Sequence, residues 1–60
     1  MEKFIKRYVK EYGADVKKNI NQLGKDRIDK AVNLCTRGYI SNDEAMRIIM
    51  QVSHTAEYYA

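Results

Sequence analysis

The segment Leu34-Cys35-Thr36-Arg37-Gly38-Tyr39-Ile40-Ser41-Asn42-Asp43-Glu44 constrains the fold of this chain more than any other. Its residues carry the chemistry of one helix ending, a reversal, and a second helix beginning. Gly38 has no Cβ, so it enters the left-handed region that closes a helix. With Gly38 in that closing position, Leu34 and Tyr39 take the two places whose side chains meet in a Schellman ending. Ser41 fits an N-cap, Glu44 three residues later completes a capping box, and Ile40 just ahead of the cap staples onto Ala45. Asp43 and Glu44 set negative charge on the positive end of the new helix. The spacing predicts two helices joined tightly through Gly38.

Upstream, Ile5, Val9, Tyr12, Val16, Ile20 and Leu23, with Tyr8 beside them, recur at helical period. They predict one long helix over residues 2–23, continuous through Gly13. Gly24 is then its stop and Asp26 the cap of the next helix. Ile28, Ala31, Val32 and Cys35 share one face of that second helix, whereas Leu34 lies off it. A third helix is predicted over residues 42–58, with Ala45, Ile48, Ile49, Val52, Ala56 and Tyr59 as its apolar stripe. Met46 and Met50 widen that stripe to an arc of roughly 200°. Alternation at period two is absent. The expectation is an all-α fold, one domain over residues 1–60: a small three-helix domain of a helical hairpin plus a long N-terminal helix, and dimeric.

The dimer follows from size. A chain of 60 residues hides only about 60% of its unfolded surface, and chains this small draw on disulfides, metals or association. Cys35 is the only cysteine and His54 the only histidine, which leaves no internal disulfide and no structural metal site. Two companion helices do not cover an arc of roughly 200° on the third. Met46, Ile49, Met50 and Ser53 are therefore assigned to a dimer or partner interface. Tyr58 and Tyr59 stand at its edge, because adjacent helical residues cannot both face one core.

Charge is unevenly spread. Residues 1–24 hold six basic and three acidic residues, whereas residues 41–60 hold one basic and three acidic. That polarity favours placing the two ends near each other, within or between chains. Lys3, Lys6, Arg7, Lys10, Lys17 and Lys18 share one side of the first helix and form a candidate face for an anionic partner. The N-terminus lacks the apolar block of a signal peptide, and no apolar run approaches a membrane span. With a lone thiol, this points to the cytoplasm and to no membrane partner.

No catalytic set emerges. His54 has Glu57 at i+3 and no further partners for a triad or a di-metal site, and it reads as a surface residue. Cys35 lies near the negative end of its helix, which raises a thiol pKa, and it reads as a small core residue. Asp43 and Glu44 are explained by capping. No cofactor is expected. The residues Ile40 through Ala45, with the later Val52-Ser53, are similar to the first helix of excisionase-type winged-helix proteins, although Met50-Gln51 stands where those carry a turn glycine. Such a resemblance implies DNA binding through a following recognition helix. The pattern Gly38-x-Ile40-Ser41-x-x-Glu44 also resembles the hairpin of short C-terminal oligomerisation domains, without their aromatic after the Glu. The residues themselves point to a small non-enzymatic protein-interaction or regulatory protein, such as a phage or bacterial inhibitor of a macromolecular target. The alternative is a small nucleic-acid-binding regulator that uses the basic first helix.

Overall fold

At Gly38 the backbone takes φ +85°, and the two hydrogen bonds of a Schellman ending form around it. Tyr39 N–H donates to the Leu34 carbonyl at 2.8 Å and Gly38 N–H to the Cys35 carbonyl at 3.0 Å. Ser41 caps the next helix, its Oγ accepting from Glu44 N–H at 3.1 Å, and Asp43 and Glu44 sit in the first turn. The side-chain part of the expectation fails: Tyr39 is 73% exposed. The reversal rests on these backbone bonds, the Ser41 cap and Ile40 packed on the core.

The computed structural model describes the backbone of residues 2–59 and the side chains of residues 7–59. Three helices, α1 (Glu2–Lys17), α2 (Gln22–Thr36) and α3 (Asn42–Ser53), precede a single 3-10 turn at Ala56–Tyr58. Among the described residues there is no strand, only an isolated antiparallel bridge between Ile20 and Tyr59. Each helix packs on the other two. Val9, Ile20, Ile28, Ala31, Cys35, Ala45, Ile49 and Val52 are buried, with Tyr12, Val16, Val32, Ile40, Met46 and Tyr58 packed around them. Ile5 belongs to α1, but its side chain lies outside the described residues.

The first helix is shorter than its apolar period predicts. After Val16 the ladder tightens to i→i−3 bonds, from Lys18 N–H to Asp15, Asn19 N–H to Val16 and Ile20 N–H to Lys17. Asn21 then caps α2, its Oδ1 accepting from Gly24 N–H at 3.0 Å. The competing signal is therefore Asn21-x-x-Gly24, an N-cap geometry that favours a new start over continuation. Ile20 still reaches the core, from a turn and not from a helix. Leu23, displaced onto the first turn of α2, is 63% exposed. Tyr8 is also corrected: at 62% exposure it stands outside the core that Tyr12 and Val16 touch.

Gly24 is not a stop signal but a close approach inside α2. A Cβ there would stand 2.0 Å from Ile20 Cγ2 and 3.0 Å from Tyr58 Cβ. Gly13 leaves α1 unbroken and marks its crossing with α2, since a Cβ would meet Ile28 Cγ2 at 3.1 Å.

The third helix also ends early, at Ser53 rather than residue 58. Hydroxyls compete for its last carbonyls: Ser53 Oγ donates to Met50 and Thr55 Oγ1 to Gln51, both at 2.7 Å. The chain then turns back across the start of α2. Asn21 N–H donates to the Tyr58 carbonyl at 2.6 Å, and Asn21 Nδ2 donates to the Glu57 carbonyl at 2.8 Å. Ala56 and Tyr59 consequently leave the predicted stripe; both are exposed.

Candidate interaction surfaces

The residues assigned from sequence to an interface separate in the structure. Ile49 is fully buried within its own chain, so it belongs to the core and offers no surface to a partner. Met46 and Ser53 are half-buried along the edge of α3 that faces α1. Met50, one turn from Met46, is 48% exposed. Tyr58 packs on the core, while Tyr59 is 48% exposed and donates its phenol hydrogen to the Ser53 carbonyl. Ser53, Tyr59, Asp15, Val16, Asn19 and Ile20 line one hollow between the ends of α1 and α3. Tyr8 precedes Asp15 by seven residues on α1, so it lies on the same side two turns away. Tyr8 and Tyr59 thus extend an apolar strip along the α1/α3 side, and Met50 stands at its edge, where it also lines a hollow with Arg27 and Arg47.

The basic face of α1 is less free than its sequence implies. Arg7 Nε meets Glu11 at 3.3 Å, Lys17 Nζ meets Asp29 of α2 at 2.6 Å, and Lys18 Nζ meets Asp15 at 3.5 Å. Lys10 is exposed and forms no ion pair among the described residues. The side chains of Lys3 and Lys6 lie outside the described residues. Within the chain, no ion pair among the described residues joins the N- and C-terminal parts: the ion pairs run within α1, from α1 to the residue after it, or from α1 to α2.

On the opposite side of α3, a groove runs between α2 and α3. Arg27, Lys30, Ala31, Leu34 and Ile48 line one hollow. Arg27 also borders a second hollow of roughly 430 Å³ with Arg47, Met50, Gln51, His54 and Glu57. Leu23, Arg27, Lys30 and Leu34 fall on one line of α2 by their i, i+4, i+7, i+11 spacing. Arg27, Lys30 and Arg47 are exposed and make no ion pair among the described residues. Periodicity ranks them as ordinary solvent-facing positions. The available signal was Leu34, an apolar residue off the buried face, which borders this groove instead of packing under Tyr39.

Chemistry-bearing residues sit apart. Cys35 is buried, and its thiol donates to Asn42 Oδ1 at 3.1 Å. His54 is exposed at the end of α3. No group of three or more His, Cys, Asp or Glu side chains converges among the described residues, nor is any helix among them long and apolar enough to cross a membrane. No family model matches the chain, and neither a curated protein nor a solved structure matches it significantly.

Proposed function

We propose that this chain is a small non-enzymatic interaction protein that pairs with a second copy of itself and acts by occupying a surface of a macromolecular target, as a regulator or inhibitor. The observation that carries this reading is the strip of Met50 and Tyr59, each 48% exposed, continued by Met46, Ser53 and Tyr8 along the α1/α3 side. Isolated exposed apolar residues are ordinary, whereas a connected strip marks an interaction site. A two-fold axis through the strip buries the same surface on both copies. Methionines adapt to the irregular surface such a seam presents. A standard interface takes about 800 Å² from each partner. That is roughly a sixth of the 4518 Å² this chain exposes, so the seam needs both helices and not α3 alone.

The nucleic-acid reading of α1 has weaker support, because Arg7, Lys17 and Lys18 each already face a carboxylate. A gel shift tests it: retardation of mixed duplexes that vanishes with added salt would restore that reading.

Sedimentation equilibrium tests the self-association. Wild type is expected to run as a dimer, and Met50→Lys as a monomer with a lower melting temperature, since the change sets a charge in the seam. A wild-type monomer at tens of micromolar would remove the dimer and reassign the strip to a foreign partner.

A further inference from the structure

The molecule holds two different surfaces along α3, and Met50 borders both. The strip on the α1/α3 side is apolar; the groove on the α2/α3 side is basic. We infer that the α2/α3 groove, with Arg27, Lys30 and Arg47 on its rim and Ala31, Leu34 and Ile48 in its floor, is the target-binding surface and takes an acidic amphipathic helix of a protein partner. This deepens the proposal that the chain is an interaction protein and rests on it.

Three observations select that occupant. The first is charge. Arg27, Lys30 and Arg47 are exposed and make no ion pair among the described residues, in contrast to Arg7 and Lys17 of α1 and Lys18 just after it. Three cations unpaired among the described residues on one rim leave a positive field that an acidic segment neutralises. Among the described residues Glu57 is the one carboxylate lining either hollow, with His54 in the same hollow.

The second is the floor. Ala31 is buried, while Leu34 and Ile48 are half-buried between the cations. Nucleic-acid backbones are recognised by cations with polar or stacking partners. An aliphatic floor flanked by cations instead matches the two faces of an amphipathic helix: apolar anchors in the groove, carboxylates at the rim.

The third is reach. The row Leu23, Arg27, Lys30, Leu34 covers twelve residues of α2, about 16 Å at helical rise, which is room for about three turns of a partner helix laid along the groove. Leu23, 63% exposed, supplies an apolar contact at one end of that row, and Leu34 supplies one at the other. Apolar ends with a basic middle define the complementary pattern: a segment with Leu- or Phe-type anchors at both ends and Asp or Glu between them.

Fluorescence anisotropy with the full-length chain tests this. The probe is a labelled peptide of Glu, Ala and Leu whose leucines follow i, i+3, i+4, i+7 spacing. Its control has the same composition scrambled so that no apolar stripe remains. The wild type is expected to bind the striped peptide more tightly than the control, with affinity falling as salt rises. Arg27→Glu combined with Arg47→Glu should weaken binding by about tenfold or more, while Arg7→Glu should leave it within about twofold. All three positions are exposed, and circular dichroism checks that each variant is folded. Lys30→Glu reads the same rim if the double variant is not. No binding of the striped peptide at low salt would overturn the inference, as would equal binding of the scrambled control or of the rim variants. Tighter binding of a labelled DNA strand through the same three residues would overturn it in favour of nucleic acid. Sedimentation of Lys30→Glu, whose hollow Met50 does not border, keeps the two claims apart: loss of peptide binding with an unchanged oligomeric state assigns the groove to the target and the α1/α3 strip to self-association.

Discussion

Asn21 uses four polar groups at once. Its Oδ1 accepts from Gly24 N–H, its Nδ2 donates to the carbonyls of Glu57 and Tyr59, its N–H donates to Tyr58, and its own carbonyl accepts from Lys25. One side chain therefore starts α2 and ties down the end of the chain. Asp keeps the capping oxygen but has no Nδ2 and turns a negative charge toward two carbonyls. Asn21→Ala should cost about 1–2 kcal/mol through the lost cap. Asn21→Asp should cost less in urea denaturation yet speed amide exchange at Tyr58 and Tyr59. If the two variants behave alike, the tether contributes nothing beyond the cap. Gly24 and Gly38 separate two kinds of glycine requirement. Gly24→Ala drives a methyl into Ile20 and is expected to destabilise by about 1–3 kcal/mol through overpacking. Gly38→Ala meets nothing within 4 Å, so its expected loss of about 1–2 kcal/mol is left-handed backbone strain alone. A crystal structure should show side-chain shifts around the first and none around the second.

Among the elements, local chemistry proved readable where several signals agreed and misleading where one periodicity stood alone. The α2–α3 turn carries its hydrogen-bonding logic in sequence: Gly38, Ser41 and the acids after it act through neighbouring backbone, so they need no tertiary information. The buried face of α2 was legible from its period, whereas Gly13 marks a crossing with α2 that only the packed helices reveal. The end of α1 was not, because Ile20 and Leu23 keep the helical period by coincidence while Asn21 offers a competing start. Ser53 and Thr55 shortened α3 in the same way. The groove was hidden for a different reason: whether Arg27 or Arg47 is ion-paired depends on which helices meet. Leu23 distinguishes the two versions of α1. On the stripe of a long helix, Leu23→Lys would cost several kcal/mol, as burying a charge does. On the exposed first turn of α2 it should change the denaturation midpoint by no more than about 0.5 kcal/mol equivalent.

At the scale of the molecule, size and association are linked. The radius of gyration is 10.7 Å, close to the about 10 Å expected of one packed body of this length. Packing is thus near what the chain can achieve alone. What it buries remains small, and the exposed Met50, Tyr59 and Tyr8 strip is apolar surface left over after three helices have covered one another. If a second copy covers that strip, folding and association are one equilibrium, and stability depends on concentration. Tenfold dilution then removes about 1.4 kcal/mol per dimer. Against an unfolding entropy of about 2 cal/mol/K per residue over two chains, the melting temperature should fall by on the order of 5 °C. Differential scanning fluorimetry across a hundredfold range reads this directly, and Met50→Lys should flatten the dependence while lowering the melting temperature at every concentration. Lys30→Glu should keep the wild-type slope, because Lys30 lines a hollow between α2 and α3 that Met50 does not border. A wild-type melting temperature that does not move with concentration would mean that the three helices are stable unaided and that the strip is held for another protein.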